Sequence, residues 1–96
     1  MDVEALYTQI EKTIQINAGT IVLENPIGFP RSETNLYLVD RNRELIWRAE
    51  KPEQDTAFSR VKLNDDGDTF SAYTLGGLAC EFELRSGKLI SVVRIK

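Results

Sequence analysis

The chain has 96 residues, twelve basic and fifteen acidic, and therefore a net charge of −3; it contains one cysteine and no histidine. This length suits one domain with a single modest core, and the charge balance lacks the basic excess that phosphate backbones require, so we expect no nucleic-acid partner. The absence of histidine excludes triads with a histidine base and sites in which histidine ligates zinc or iron.

The amino-terminal residues are compatible with two structures. Five apolar residues have the spacing of one helical face: Val3, Leu6, Tyr7, Ile10 and Ile14. From Thr13 onward the alternation of apolar and polar residues favours a strand, paired with residues 20–24 through a turn at residues 17–19. The first residues are acidic where a signal peptide would be basic, and no stretch has the ~20 apolar residues of a membrane span. We therefore expect a soluble, cytoplasmic protein without membrane contact.

Three further hairpins follow along the chain. Residues 35–40 pair with 45–50, residues 58–63 pair with 69–75 across an aspartate-rich turn, and residues 78–85 pair with 88–96 across a two-residue link, Ser86-Gly87. The strict apolar-polar alternation of residues 78–85 is the clearest strand signal.

These eight short strands predict the fold class. We expect residues 1–96 to form a single mainly-β domain of antiparallel sheets built from consecutive hairpins, as a blade-like meander, a sandwich or a small barrel, with a possible short amino-terminal helix. The longest connections are residues 25–34 and 51–57, both containing proline.

Two hinges align at an offset of forty-four residues, LVDRNRELI beginning at Leu38 and FELRSGKLI beginning at Phe82. The match indicates either an internal repeat or the general likeness of any two hairpins. It places Arg43 over Gly87, and glycine suits positive φ far better than arginine. We therefore predict a three- or four-residue loop in the first hinge with Asn42 left-handed, because asparagine tolerates that region.

Residues 35–47 combine aromatic-apolar alternation, an aspartate, a polar turn, two aliphatic residues and a tryptophan. This pattern resembles the strand-turn-strand of PQQ-like and WD40-like propeller repeats. It is more similar still to small uncharacterised bacterial proteins of similar length whose second hairpin ends like FELRSGKLI. The resemblance covers residues 35–96 and implies a blade-like sheet, without implying a function. A propeller needs at least about four blades, so no quinone-cofactor site is inferred.

No catalytic, cofactor or metal residue is predicted, and we expect no enzymatic activity. The spacing of the Asp65–Asp68 turn does not fit an EF-hand, so a solvated turn is favoured over calcium binding. Glu81 and Glu83 have basic neighbours and fit an exposed, ion-paired face better than an acid/base pair. Cys80 lies on the apolar side of its strand and is interpreted as core.

Trp47 is the leading interface candidate, together with Arg48. The alternation places Trp47 on one face with Leu45 and Ala49, where it either closes the protein's own sheets or meets a second copy. Several strands are apolar on both faces, so a helix, a loop or a partner chain must cover the second faces. Open sheet edges also invite pairing, and we predict a homodimer or a higher homo-oligomer.

Two functions remain open. The first is a non-enzymatic protein-interaction module, for example an immunity or inhibitor protein, whose acidic residues bind a basic protein partner. Its candidate interface is Trp47, Arg48, Glu50, Glu53, Asp55, Asp65, Asp66 and Asp68. The alternative is a small-molecule-binding protein with an apolar pocket lined by Tyr7, Phe29, Phe58 and Tyr73.

Overall fold

A computed structural model describes residues 3–54 and 56–95 and confirms the mainly-β fold. Within these residues there are eight strands and no helix, and hence no helix that could cross a membrane. The strands are β1 (Ile10–Ile16), β2 (Gly19–Glu24), β3 (Leu36–Val39), β4 (Leu45–Arg48), β5 (Phe58–Leu63), β6 (Thr69–Thr74), β7 (Leu78–Glu83) and β8 (Leu89–Arg94). The helix considered for the amino terminus does not form, since residues 3–9 are irregular and lead directly into β1.

The strands form two antiparallel sheets of four, in the orders β1-β2-β3-β4 and β5-β6-β7-β8. Each pair of neighbours is consecutive in the chain, so all four predicted hairpins are present and neither sheet closes into a barrel. The long connections 25–35 and 49–57 lie between hairpins, as the proline-containing segments indicated.

The core lies between the two sheets. We call the face that each sheet turns toward the other its inner face. Its buried residues are Ile21, Leu23, Leu36, Leu38 and Trp47 from the first sheet, and Phe58, Val61, Phe70, Ala72, Leu78, Cys80 and Phe82 from the second. Phe70 lies between Trp47 and Phe82, with ring centroids 5.2 and 4.8 Å apart and the planes nearly parallel. This stack extends from one sheet into the other.

The outer face of the first sheet is covered by the chain itself. Val22, Tyr37 and Val39 form a second buried cluster, against which Val3 and Ile10 pack. Residues 3–9, which we call the amino-terminal strap, and the first residue of β1 therefore supply the cover that a sheet apolar on both faces requires. The outer face of the second sheet has no such cover among the described residues, and Val93 on β8 is 60% exposed.

The hinge prediction was wrong about which residue is left-handed. The first hinge loop comprises residues 41–43, because the Asp40 N–H donates to Glu44 O at 2.9 Å, and Arg43 adopts φ 65° rather than Asn42. The second hinge is wider than the predicted two-residue link. Its loop comprises residues 84–87, closed by the Glu83 N–H on Lys88 O at 2.9 Å, with Gly87 at φ 71°.

A β-bulge also corrects the predicted faces of β4. Val39 pairs with Leu45 while Leu38 pairs with Trp47, so Ile46 is the extra residue on its strand. Since paired residues share a face, the bulge moves Leu45 to the outer face beside Val39, away from the side of Trp47. The second sheet has an equivalent bulge at Ile90, forty-four residues later. The two hinge segments thus share a left-handed turn residue and a bulge; a propeller-repeat relationship stays a prediction.

Candidate functional site

The predicted interface residues do not form one continuous surface. Arg48 is exposed on the outer face of the first sheet, beside the strap. Glu53 lies in the β4–β5 connection, whereas the three aspartates lie in the β5–β6 turn. Asp55 lies outside the described residues. The acidic set is therefore split between two regions of the molecule.

Trp47 is an internal contact between the sheets. Its side chain is only 6% exposed, and its indole N–H donates to Leu84 O at 3.0 Å. A Cβ placed on Gly87 would come within 2.7 Å of the indole, so glycine lets the second hinge lie directly against the ring. Trp47 therefore closes the protein's own sheets, the first of the two roles considered for it, and is not available as a surface anchor.

Three of the five acidic candidates that the structure describes have partners within the chain. Glu50 accepts the Leu89 N–H at 3.0 Å, and Glu53 forms an exposed ion pair with Arg94 at 3.6 Å. Asp66 accepts the backbone N–H groups of Asp68 and Thr69, both at 2.9 Å, and the Thr69 hydroxyl. These hydrogen bonds, the Asp68 N–H foremost, lower the pKa of Asp66. Asp66 thus stabilises its own turn, consistent with the solvated-turn interpretation.

A groove with a mostly apolar floor opens between the sheets beside this turn. We call it the turn-end groove. Its apolar lining consists of Ile16, Ala18, Leu38, Ile46, Leu63 and Leu84. Its polar lining consists of Gln15, Asn17, Asn64, Asp68, Thr69 and Arg85. The groove encloses about 440 Å³, and Ile46 and Leu63 are 44% and 38% exposed.

Local backbone contacts build this groove. The Leu84 N–H donates to Asp68 O at 2.9 Å, which joins the β5–β6 turn to the β7–β8 loop. The same residue's carbonyl accepts the Trp47 indole N–H, which attaches that loop to the first sheet. Ile46 lines the groove from the β4 bulge. An acidic turn and an apolar cleft are therefore held side by side.

A second groove lies between the long connections. Ile27 and Leu75 line this groove and are 80% and 61% exposed. The groove is also lined by charged residues of both signs. They are Arg31, Glu33, Glu53 and Arg94. This groove has no net charge preference among those four groups, so it does not discriminate between basic and acidic partners.

The predicted aromatic pocket does not form. Phe58 is fully buried in the core, and Phe29 is also buried, with its ring 5.1 Å from that of Tyr7 in an edge-to-face contact. Tyr73 pairs with Arg60 and Ala79 on the outer face of the second sheet. Tyr7 and Phe29 therefore contact each other, whereas Phe58 lies in the core and Tyr73 on the outer face of the second sheet, so the four rings do not line one cavity.

Two buried polar residues were missed by the sequence interpretation. Glu24 has no exposed surface, and its carboxylate accepts the backbone N–H groups of Leu6 at 2.6 Å, Tyr7 at 3.1 Å and Thr8 at 2.9 Å. It also accepts the Tyr37 hydroxyl. Burial acts to raise the pKa of Glu24, but the hydrogen bonds from Tyr37 and from these backbone groups outweigh it, and the pKa is lowered. Glu24 therefore holds the strap as an ionised carboxylate.

Asn35 joins the two sheets. Its side-chain amide donates to Glu24 O at 2.8 Å and Phe58 O at 2.7 Å, and its Oδ1 accepts the Phe58 N–H at 2.9 Å. In the sequence, each of these two polar residues stands at one end of an apolar stretch: Glu24 follows TIVL, and Asn35 precedes LYLV. Nothing in the pattern distinguished them from ordinary strand ends.

The described residues contain no group of three or more acidic or cysteine side chains placed to hold a metal ion. Burial raises the pKa of the Cys80 thiol, which disfavours the nucleophilic thiolate. In comparisons with protein-family models, curated proteins and solved structures, none matches this chain.

Proposed function

We propose that this protein is a non-enzymatic protein-interaction module and that its turn-end groove receives an apolar side chain of a basic partner. The observation that carries the proposal is the exposed apolar pair Ile46 and Leu63 immediately beside the Asp65–Asp68 turn. Apolar contact supplies binding energy, and complementary charge around it selects the partner and accelerates encounter. An immunity or inhibitor protein for a basic target is a concrete form of this function.

The charges near the groove support a basic partner. Asp65, Asp66 and Asp68 are all exposed, and Arg85 is the basic side chain that lines the groove. Because Asp66 is already engaged by its turn, Asp65 and Asp68 are the carboxylates available to lysine or arginine. Of the other predicted acidic residues, Glu50 and Glu53 belong to contacts elsewhere and take no part in this surface, and Asp55 lies outside the described residues.

The use of the buried polar groups supports a non-enzymatic role. The side chains of Glu24 and Asn35 are already hydrogen-bonded to groups of their own chain. Neither lines the turn-end groove, so neither can transfer a proton to a molecule bound there.

The test uses short synthetic peptides in which one leucine is flanked by lysine and arginine, with glutamate-flanked peptides of the same length as the comparison. Titrated into isotope-labelled protein, the basic peptides should shift the amide NMR signals of residues 63–69, 84–85 and 46 in a saturable, salt-sensitive manner. The acidic peptides should leave those signals unchanged.

A matched pair of variants controls the test. Ile46→Asp places a charge in the groove, whereas Ile90→Asp changes the equivalent bulged isoleucine of β8, which is similarly exposed. We expect Ile46→Asp alone to abolish the peptide shifts. No saturable shift at the groove with any basic peptide, or equal loss in both variants, would overturn the proposal.

A further inference from the structure

The open edge of β8 is the most apolar strand edge among the described residues. β8 is the last strand of its sheet and pairs with β7 alone. The opposite edge strand, β5, is partly covered, because Asn35 binds Phe58 and Lys12 Nζ donates to Val61 O at 3.0 Å. Of the two edge strands of the first sheet, β1 exposes polar and charged side chains, and β4 is only four residues long, is interrupted by the bulge and carries the exposed Arg48. A free backbone edge and apolar side chains thus come together on β8, and this combination invites strand pairing.

The backbone directions on β8 follow from one hydrogen bond. The Ile95 N–H donates to Gly77 O at 2.9 Å, on the side of β7. Because backbone groups alternate in direction along an antiparallel strand, Val93 also faces β7, whereas Val92 and Arg94 direct their N–H and C=O groups outward. Leu89 directs its N–H outward as well, but Glu50 occupies it. The part of β8 that is free to pair therefore begins after Leu89.

The side chains of this segment are apolar and almost uncharged. Ile90, Val92, Val93 and Ile95 are 55%, 41%, 60% and 55% exposed. The one charged residue among residues 90–95 is Arg94, which is paired with Glu53. Two such segments can therefore approach each other without an unpaired like charge between them.

We propose that this edge binds the same edge of a second copy, antiparallel and with the two-fold axis at Val93. In this register Val92 lies opposite Arg94 of the second copy, so all four outward backbone groups of each segment form hydrogen bonds. Val93 then faces Val93 of the second copy on the outer face, and Ser91 faces Ile95. The most exposed valine of each chain is buried at the centre of a continuous eight-stranded sheet.

The expected dimer is weak. A pairing of about five residues on each side buries less than the roughly 1,200 Å² at which stable interfaces begin, so dissociation in the micromolar range is expected. The turn-end groove includes no residue of β8, and the dimer and the proposed function can each stand or fail alone.

Cysteine cross-linking of the full chain tests the register. Val93→Cys should form a disulfide-linked dimer on mild oxidation, because non-hydrogen-bonded antiparallel partners have Cα atoms about 4.5 Å apart, within the range of a disulfide. Ser91→Cys and Ile95→Cys, on the same face, should each cross-link poorly alone and efficiently when mixed. The native Cys80 is buried and should not react.

Sedimentation of the unmodified protein over a range of concentrations should show reversible dimerisation, and Val93→Lys, which opposes two like charges at the axis, should be monomeric. Ile46→Asp should dimerise normally. A monomer at all concentrations would overturn the proposal, whether or not another partner binds the edge. Efficient cross-linking of Ser91→Cys alone, equal to that of Val93→Cys, would overturn the register.

Discussion

Arg43 shows that position within a turn can outweigh the preference of a side chain. Asp40 Oδ1 accepts the N–H groups of Asn42 at 2.8 Å and Glu44 at 2.9 Å, and the Arg43 N–H donates to Asp40 O at 3.1 Å. These bonds form a turn centred on Arg41 and Asn42, which leaves the third loop residue left-handed, as in three-residue hairpins. Asparagine tolerates positive φ better, but it occupies the preceding position. The aspartate therefore decides which residue is strained.

Replacing the strained arginine should stabilise the protein. Arg43→Gly relieves a left-handed side chain, partly offset by the greater freedom of glycine in the unfolded chain, and should raise the free energy of unfolding by about 0.5–1 kcal/mol. The exposed 3.8 Å ion pair with Glu4 that it removes should matter little. The measurement is urea denaturation followed by circular dichroism.

The matched variant is Gly87→Ala at the equivalent position. The added Cβ would clash with the Trp47 ring, and the left-handed φ is unfavourable for alanine. The free energy of unfolding should therefore fall by about 2–4 kcal/mol. A loss of stability in Arg43→Gly would contradict the account of the first hinge.

At the scale of elements, the position of the strap depends on hydrogen bonds to one carboxylate, that of Glu24, more than on any regular structure within the strap. Residues 3–9 form no strand or helix, yet three successive N–H groups within it, Leu6 to Thr8, are bound by Glu24. Tyr37, on β3, donates its hydroxyl to the same carboxylate. The pKa of this hydroxyl is raised, mainly by burial and to a lesser extent by the hydrogen bond with Glu24. The strap is therefore attached to the outer face by charge-assisted hydrogen bonds as well as by the packing of Val3.

This attachment predicts a pH-dependent stability. The pKa of Glu24 is lower in the folded than in the unfolded chain, so its contribution is complete above its ordinary value of 4.5 and is lost as pH falls through the folded value. Glu24→Gln should cost about 2 kcal/mol at neutral pH, because a neutral amide accepts these bonds less strongly and adds donors with no acceptor. The difference from the unmodified protein should narrow in strong acid. A constant difference across the pH range would show that the charge does not hold the strap.

At the scale of the whole molecule, the two sheets are joined by a few specific contacts. Trp47 binds and packs against the second sheet, and Asn35 bonds both backbone groups of Phe58. Because each sheet buries its inner face only against the other, the main core belongs to neither sheet alone, and only the smaller outer cluster lies on the first sheet by itself. The sheets should therefore unfold together.

Cooperative unfolding can be measured with the protein's single tryptophan. Trp47 fluorescence reports contact between the sheets, and far-ultraviolet circular dichroism reports the strands, so both should give the same urea midpoint. Asn35→Ala leaves buried backbone groups of Phe58 without partners and should lower both midpoints equally, by about 2–3 kcal/mol in free energy. Two separate midpoints in the unmodified protein would contradict a single folding unit.

The local pattern by itself determined the fold class and the elements. The period-two alternation of Leu78, Cys80 and Phe82 predicted a strand with one buried face, and short polar turns predicted the four hairpins, because these features depend on near neighbours in the chain. The same reasoning identified the Asp65–Asp68 turn, which follows Leu63 in the chain, but could not place Ile46 beside them, since that contact requires both sheets.

Only the tertiary structure decided the roles of Trp47, Glu24 and the faces of β4. A single bulge at Ile46 moved Leu45 to the outer face while Trp47 and Arg48 kept their predicted faces, because one extra residue inverts the alternation on one side of it relative to the other. Trp47 became a core contact because Gly87 admits its ring, and Glu24 became buried because the strap returns over it. The bulge depends on the pairing register of its hairpin. The roles of Trp47 and Glu24 depend on segments far apart in the chain, whose approach is set by packing of the whole domain rather than by local periodicity.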